Sequence, residues 1–420
     1  MSDRVFGGFG FDPVQGGVFA ASARQSGTFG RIIIADPDRK LVDAVRSNDG
    51  SYTVNVARLD GLEAVQVDGV EMYDPGEPAE RDMLVHSLSG AGELATSLPS
   101  VDHYDRGEEG SASAIFGRAF GMQPTLRRVV YVAEDDERAA EKLSHGVKRE
   151  AGLGVRGIRF LNTIIGNTNR VAEAGRDIHG HRLRPVAPGL DRAFLVEEAP
   201  RVLTCLGEES GRSTGLECIV LHKGDIGPLR EADFYARRGI RCALAFLGAS
   251  RGRERMPELR EDDEIIDLAR GALMGEVGEA LQRKFGDDVV AALCSAFGYG
   301  RGPTELLERM TNPYLDEAIH SVARNPAKRL DPHGCVGAAM RLTLRYDIEP
   351  RNLALGAAAG IDCVLKRAEE LDLPRRLRFD SAGSMTEDDM AALLEWLWNA
   401  PPDAVESAGH IPGLLAAAGG

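Results

Sequence analysis

The chain has 420 residues, of which 43% are hydrophobic and 27% are charged, a composition typical of a globular protein rather than of a disordered or fibrous one. Its formal net charge of −15 argues against nucleic acid or an anionic membrane as the main partner. No stretch approaches the roughly 20 apolar residues that a membrane-spanning helix needs.

The six cysteines are scattered through the second half of the chain and form no Cys-x-x-Cys pair. Disulfide frameworks and zinc sites need tighter patterns, so we expect reduced thiols and, by default, a cytoplasmic protein. The first residues run directly into a strand-like segment, so we expect no signal peptide. The pair His179 and His181 lacks an identifiable third ligand, so we expect no metal site.

The first half of the chain alternates strand-like and helix-like segments. Short apolar runs predict strands at Val5–Phe9, Arg31–Ala35, Tyr52–Val56, Met83–Ser87, Arg128–Ala133, Gly157–Asn162 and Ala193–Glu198. Helical patterns lie between them at Gly17–Gln25, Pro37–Ser47, Gly92–Leu98 and Asp136–Glu150. Residues 105–125, rich in Gly, Ser and Ala, are predicted to be a loop or an insertion without a clear core face. This alternation is typical of a doubly wound parallel sheet.

From about residue 201 the pattern becomes helical. Apolar residues recur at helical spacing in Asp263–Phe285, Asp287–Phe297, Gly302–Met310, Leu315–Ala323, Val336–Tyr346, Pro350–Leu371 and Thr386–Trp398. The length of the chain favours two domains. We therefore predict an α/β, Rossmann-like domain at residues 1–200 and an all-α domain at residues 201–420.

The first strand opens a glycine-rich turn in which Gly8, Gly10 and Phe11 are candidate cofactor-binding residues. Glycines at such a turn let the backbone approach a pyrophosphate. Asp36 ends the second strand, where a carboxylate can accept hydrogen bonds from an adenosine ribose. It favours NAD over NADP, because a 2′-phosphate would meet a like charge. Asp36 before Pro37 could instead be a helix N-cap.

Asp12 and Pro13 follow this turn and predict an N-cap and a first helical proline. An N-cap carboxylate would compete with a phosphate for backbone N–H groups, and proline removes one donor. The sequence of the turn therefore opposes dinucleotide binding, whereas Asp36 favours it.

The segment DFYARRGIRCALAFLG, Asp233–Gly248, resembles the catalytic helix of the long-chain polyol dehydrogenases, a family that includes mannitol dehydrogenases and hexuronate reductases. The resemblance implies a Rossmann-like fold, NAD and a polyol or sugar substrate. When the segment is aligned with that helix, the positions of the family's catalytic Lys, Asn and His hold Asp233, Arg238 and Arg241. The resemblance makes these three residues the candidate catalytic groups.

Other segments carry the same resemblance. Asp82–Gly90 resembles the family's fourth strand beside the nicotinamide and implies roles for His86 and Ser89, while Phe160–Ile165 implies a cofactor contact for Asn162. Asn167 lies where the family has an Asp-Arg pair, and another such pair is replaced by Gly334-Cys335. Asn312–Leu330 resembles a long family motif that ends in a basic pair, here Lys328 and Arg329. Asn167, Lys328 and Arg329 are therefore candidate substrate-binding residues.

Arginine stays protonated and cannot act as a base, but its planar fork suits a carboxylate or phosphate. These residues therefore favour an NAD-dependent oxidoreductase acting on an anionic sugar derivative. The alternative for the helix is a face of ion pairs, in which Asp233 binds Arg237 and Arg238 and Arg241 binds an acidic neighbour. The alternative for the whole chain is a non-redox enzyme or a catalytically silent binding protein. The sequence leaves the oligomeric state open.

Overall fold

A computed structural model describes residues 3–105, 107–152, 154–206, 214–297, 303–399 and 411–419. It divides the chain into two compact units, Met1–Ile226 and Gly227–Gly420. The first unit ends later than the predicted position 200 because two further strands, β13 (Val202–Leu206) and β14 (Ile219–Lys223), extend its sheet.

The first unit is built on an eight-stranded sheet with the order β14-β13-β8-β7-β6-β1-β2-β5. Its other strands are β1 Val5–Phe9, β2 Arg31–Ala35, β5 Val70–Tyr73, β6 Ala91–Thr96, β7 Arg128–Val132 and β8 Ile158–Ile165. In this order, the six strands β8, β7, β6, β1, β2 and β5 are parallel to their neighbours, and β13 pairs antiparallel with β8. The chain reverses its winding at β1, between β2 and β6. This arrangement confirms the prediction of a doubly wound sheet.

A second, four-stranded sheet has the order β4-β3-β12-β9. It consists of β3 Tyr52–Ala57, β4 Leu62–Val67, β9 Asn169–Glu173 and β12 Arg192–Glu197, and a short hairpin joins β10 Asp177–Ile178 to β11 His181–Arg182. The predicted strand at Tyr52–Val56 is therefore present, but it lies in this smaller sheet.

Helices cover the main sheet on both faces. They are α1 Ala21–Gln25, which continues a π-helical turn at Gln15–Ala20, then α2 Arg39–Ser47, α3 Pro78–Ser89, α4 Ala112–Met122 and α5 Ala139–Ala151, with a short 3-10 turn at Val101–His103. Two clusters of buried side chains, one on each face, form the core.

Two predicted elements are wrong between residues 83 and 98. Met83–Ser87 belongs to helix α3, in which Leu84, Val85 and Leu88 are buried at helical spacing. Gly92–Leu98 contains strand β6 instead of a helix. Both are short apolar runs, and periodicity alone does not separate a buried helix from a buried strand at this length.

The predicted loop at 105–125 is also wrong, because it contains helix α4. Its small residues serve close packing against α5: a Cβ on Gly117 would lie 3.1 Å from the carbonyl oxygen of Val147. Glycine and alanine here bring two helices together and do not indicate a loop.

The second unit is helical, as predicted. Its helices are α6 Ile226–Asp233, α7 Ile240–Ser250, α8 Asp263–Gly271, α9 Glu279–Phe285, α10 Asp287–Phe297, α11 Pro303–Met310, α12 Ile319–Val322, α13 Pro326–Leu330, α14 Cys335–Arg345, α15 Arg351–Leu365, α16 Glu387–Trp398 and α17 Ile411–Gly419. Phe234–Gly239 and Ala272–Gly278 are π-helical, and short 3-10 turns lie at Met256–Glu261, Arg375–Leu377 and Ala382–Ser384. Among the residues that the structure describes, no helix combines the length and apolar character needed to span a membrane.

Candidate functional site

The glycine-rich turn at the carboxyl end of β1 is packed against the protein's own atoms. Gly10 has a φ of +87°, which glycine adopts without strain, and its N–H donates to the carbonyl oxygen of Ala35 at 2.8 Å. A Cβ on Gly10 would collide with the carbonyl oxygen of Ser97, and one on Gly8 would collide with the side-chain amide of Gln15. Both glycines therefore make room for neighbouring segments.

Asp36 closes the turn from the end of β2. Its Oδ2 accepts a hydrogen bond from the backbone N–H of Phe11 at 2.6 Å, and its Oδ1 accepts one from Asp38 at 2.8 Å. Burial raises the pKa of Asp36 to about 6. The N-cap of α2 is Asp38, which accepts from Leu41 at 3.1 Å, so the N-cap reading of Asp36 is wrong. Each carboxylate oxygen can accept a second hydrogen bond, so Asp36 fits a ribose hydroxyl.

Phe11 contributes its backbone N–H to this contact and buries its ring. The ring packs edge-to-face against Tyr52, with 4.9 Å between centroids, and against Phe194, with 5.3 Å. The position of Phe11 is therefore fixed by the core beneath the turn.

Asp12 caps the first helix, as predicted. Its Oδ1 accepts a hydrogen bond from the backbone N–H of Gln15 at 2.8 Å, and it also bonds the side chain of Ser97. Burial raises its pKa above the ordinary range. Together with the Phe11–Asp36 bond, this contact uses backbone donors that a pyrophosphate would need. In this conformation the turn does not fit a pyrophosphate unless Asp12 moves away.

Gln15 is an additional polar group beneath the turn. Its side chain is fully buried, and among the described residues neither its amide nitrogen nor its amide oxygen has a hydrogen-bond partner. An unsatisfied buried amide costs about 1–3 kcal/mol. The space against Gly8 is therefore filled by a side chain that gains no polar contact there.

His86 and Ser89 do not lie beside the turn. They belong to the end of α3, and only Gly90 separates Ser89 from the start of β6, so Ser89 lies at the amino edge of the sheet. His86 is exposed, and its Nδ1 contacts the carbonyl oxygen of Asp82 at 3.0 Å. The Ser89 hydroxyl donates to the His86 carbonyl at 2.8 Å. Their assignment to the cofactor site fails because it depended on a strand at this position.

The polar groups that do stand at the carboxyl end of β6 and β7 are Thr96 and Glu134. Glu134 is buried and accepts hydrogen bonds from Thr96 Oγ1 at 2.9 Å, from the backbone N–H of Leu98 at 2.8 Å and from the Tyr104 hydroxyl. Burial raises the pKa of Glu134. Its place directly after an apolar strand was the available sequence signal.

The two asparagines predicted to bind cofactor or substrate instead form hydrogen bonds that join neighbouring segments of the first unit. The Asn162 side chain accepts from the Ala140 N–H at 3.0 Å and donates to the Glu137 carbonyl at 2.9 Å, which holds the start of α5 against β8. Asn167 is buried, accepts from the Arg201 N–H at 2.8 Å and donates to the Glu198 carbonyl at 3.2 Å. These amides serve the packing of the first unit.

In the second unit, the candidate catalytic residues take part in ion pairs. Asp233 is 3% exposed and binds Arg237 through both oxygens, at 2.7 and 2.8 Å. Arg238 lies 4.0 Å from the same carboxylate, and Arg241 pairs with Glu317. The alternative of ion pairs along this helix is therefore confirmed at Asp233 and at Arg241.

Two thiols and Arg329 lie beside these arginines. The Cys242 thiol, on α7, donates to the carbonyl oxygen of Val322 at 3.9 Å. The influence of Cys335, the first residue of α14, and the charge of Arg329 lower the pKa of Cys242. Arg238 and Arg241 both act on Cys242 electrostatically. Lys328, by contrast, is exposed. The charges of Arg329, Arg241 and Arg238 therefore all act on the Cys242 thiol. Within the described ranges, no group of three or more His, Cys, Asp or Glu side chains is arranged to hold a metal ion.

No protein-family model matches the chain. Among curated proteins, it is similar to mannitol-1-phosphate 5-dehydrogenase from Brevibacillus brevis (30% identity over 145 residues, 34% of this chain and 36% of that protein). It is also similar to the enzyme of the same name from Caldanaerobacter subterraneus subsp. tengcongensis (26% over 137 residues, 33% of each). About a third of the chain is therefore similar in sequence to these two dehydrogenases. The matched region spans about a third of the length of these relatives.

Solved structures of two polyol dehydrogenases share the fold of this chain. The mannitol 2-dehydrogenase of Pseudomonas fluorescens, solved with NAD and D-mannitol, superposes with a TM-score of 0.63 at 15% identity and covers 99% of this chain and 91% of its own. A substrate-free D-sorbitol dehydrogenase gives 0.66 at 11% identity, covering 98% and 91%. Likeness at this identity establishes the polyol dehydrogenase fold and leaves the activity to be argued from residues.

Proposed function

We propose that this protein is an NAD(H)-dependent oxidoreductase acting on an anionic sugar, polyol phosphate or uronate-like substrate. The observation that carries the proposal is Asp36, a carboxylate held at the end of β2 directly beside the glycine-rich turn. This is where a doubly wound sheet presents an acidic group to an adenosine ribose.

The strand order and the relatives support the cofactor. Dinucleotides bind doubly wound sheets outside the carboxyl ends of the strands, where the winding reverses, and here β1 lies at that point. One structural relative was solved with NAD. The Asp36 carboxylate favours NAD over NADP because it would repel a 2′-phosphate. Asp12 at the turn predicts that NAD binds weakly.

The arginines support an anionic substrate. The charges of Arg238, Arg241 and Arg329 all act on Cys242, and guanidinium groups suit carboxylates and phosphates. Arg241 already pairs with Glu317, so we assign the main hold on the anion to Arg238 and Arg329. The names of the curated relatives contain a phosphorylated polyol, mannitol 1-phosphate, which has the charge that such a pair of arginines would recognise.

A second candidate function is binding without hydride transfer, and the Asp233–Arg237 pair favours it. Oxidation of an alcohol needs a group that accepts its proton. The position that carries the family's lysine holds Asp233, whose two oxygens both accept from Arg237. As a base, Asp233 would have to leave that pair.

Calorimetry followed by a turnover assay separates these functions. The full chain is titrated with NAD+, NADH and NADP+, beside Asp36→Asn and the surface control Asp43→Asn on α2. We expect NAD+ or NADH to bind, NADP+ to bind more weakly, and Asp36→Asn alone to reduce this preference. Lack of binding by every dinucleotide would overturn the proposal. Binding with no change in nicotinamide absorbance on polyols, uronates and sugar phosphates would support the second candidate.

A further inference from the structure

The turn after β1 offers a phosphate group few hydrogen-bond donors. Four backbone N–H groups between Gly10 and Gly16 already donate to oxygen atoms of the protein. They are those of Gly10 to the Ala35 carbonyl at 2.8 Å, Phe11 to Asp36 Oδ2 at 2.6 Å, Gln15 to Asp12 Oδ1 at 2.8 Å and Gly16 to the Asp12 carbonyl at 2.8 Å. Pro13 has no N–H to donate. An anionic group at this turn would have to displace these bonds, and it would meet the charge of Asp12.

The two carboxylates at the turn lack a counter-charge of their own. Among the residues that the structure describes, neither Asp12 nor Asp36 forms an ion pair, and Arg192, the cation that acts on Asp36, pairs with Asp38. Both side chains are half-buried, and burial raises the pKa of each, that of Asp36 to about 6. A carboxylate that is partly removed from water is stabilised by a positive charge beside it. The turn therefore favours a ligand that brings such a charge.

An unused amide lies beneath the same turn. Gln15 is fully buried, and within the described part of the chain neither its amide nitrogen nor its amide oxygen has a hydrogen-bond partner. The amide faces the backbone of β1, because a Cβ on Gly8 would lie 2.1 Å from Gln15 Nε2. Buried polar groups in folded proteins nearly always have partners, so this unused donor and acceptor point to a group from outside the chain.

We propose that this turn binds a nucleoside whose 5′ position carries a positive charge, an ammonium or a sulfonium group, in place of a pyrophosphate. The ribose hydroxyls donate to the remaining lone pairs of Asp36, and the 5′ cation lies beside the Asp12 carboxylate. Each carboxylate oxygen accepts up to two hydrogen bonds, so Asp12 can bind an ammonium and still accept from the Gln15 N–H. The helix cap is then kept, whereas a pyrophosphate requires Asp12 to move away.

This inference rests on the ribose site of the proposed function and changes only the charge of the group beyond the ribose. A nucleoside of this class occupies the same turn as a dinucleotide, so it competes with NAD(H). The charge of Asp12 attracts the 5′ cation and repels the pyrophosphate, and it leaves a neutral nucleoside unaffected. Three ligands that differ in the charge at the 5′ position therefore report on Asp12.

Calorimetric titration of the full chain with 5′-amino-5′-deoxyadenosine, adenosine and NAD+ tests the site. At about pH 7 an alkyl amine is protonated, and Asp36, whose pKa is about 6, is mostly ionised. We expect wild type to bind the amino nucleoside at least about fivefold more tightly than adenosine, and the amino nucleoside to displace NAD+.

Two variants and a control locate the effect. Asp12→Asn should weaken binding of the amino nucleoside alone, so that it binds like adenosine, because the substitution removes the attracting charge. Asp36→Asn should weaken binding of both nucleosides, because both place their ribose there. Asp262→Asn changes a helix cap in the other unit and should leave both affinities unchanged.

Equal binding of the amino nucleoside and adenosine by wild type would overturn the inference, as would a preference for the amino nucleoside that persists in Asp12→Asn. If Asp12→Asn fails to fold, the wild-type comparison of the two nucleosides decides the question. Binding of NAD+ without binding of either nucleoside overturns the inference and leaves the proposed function standing. Binding of the amino nucleoside without binding of any dinucleotide overturns the proposed function and leaves the inference standing.

Discussion

Asp12 is the group most directly opposed to dinucleotide binding, so Asp12→Asn is the most informative substitution. Asparagine has the same shape and keeps a side-chain oxygen that can accept from the Gln15 N–H, now bonded at 2.8 Å. The substitution removes the negative charge while the helix cap remains, because Asp and Asn cap helices about equally well.

The expected gain in NAD affinity follows from Coulomb's law. Two unit charges about 4 Å apart interact by about 4 kcal/mol at an effective dielectric constant of about 20. If only a quarter of this repulsion acts between Asp12 and a pyrophosphate, its removal lowers the Kd about fivefold. Burial already disfavours the ionised form of Asp12, so the neutral variant should change the free energy of unfolding by less than about 1 kcal/mol.

The assay is calorimetric titration of wild type and Asp12→Asn with NAD+ and with adenosine, which lacks the phosphates. NAD+ should bind the variant at least about fivefold more tightly, and adenosine should bind both proteins equally. Asp262→Asn is the matched control, because Asp262 caps α8 in the other unit. Unchanged or weaker NAD+ binding in a variant that still melts like wild type would refute the reasoning. If neither protein binds NAD+, the proposed cofactor itself is wrong.

Three further predictions concern stability. Gly239→Ala should lower the free energy of unfolding by about 1–3 kcal/mol, because its Cβ would lie 2.8 Å from the carbonyl oxygen of Cys335. Gly275→Ala, whose Cβ meets no atom within 4 Å, should raise it by up to about 1 kcal/mol. Equal effects of the two variants in denaturant titrations would contradict the close contact at Gly239. A double-mutant cycle on Arg241 and Glu317, both mostly buried, should give a coupling free energy of about 1–3 kcal/mol. A coupling free energy near zero would contradict the ion pair. Because the pKa of Asp36 is raised to about 6 in the folded state from about 4 in the unfolded chain, its contribution to stability is greatest below pH 4 and is lost as the pH rises to 6; Asp36→Asn should lack this decline in pH-dependent melting.

The scaffold motifs found in the sequence correspond to helix packing. The end of the segment Asp233–Gly248 forms most of α7, which packs against α15. A Cβ on Gly356 would lie 2.7 Å from the Cβ of Ala243, and one on Gly360 would lie 2.8 Å from Phe246. These small residues let α7 and α15 approach closely, so this part of the segment serves the packing of the two helices.

The polar site was harder to predict because its contacts join distant parts of the chain. The partner of Arg241, Glu317, is 76 residues away, and only the folding of the second unit shows which acidic residue it meets. His86 was misplaced for a related reason: its role depended on whether a short apolar run was a strand or a helix, and periodicity does not separate the two.

The sequence by itself determined the features that local backbone geometry fixes. The Asp12 cap spans three residues, the Asp233–Arg237 pair spans four, and β1 and β2 are apolar runs with clear ends. The tertiary structure alone decided that Asp36 bonds the turn 25 residues before it and that Arg241 pairs with Glu317. The physical reason is that hydrogen bonds within one helical turn follow from the regular rise of the chain, whereas contacts between elements depend on how whole helices and strands bury their apolar faces.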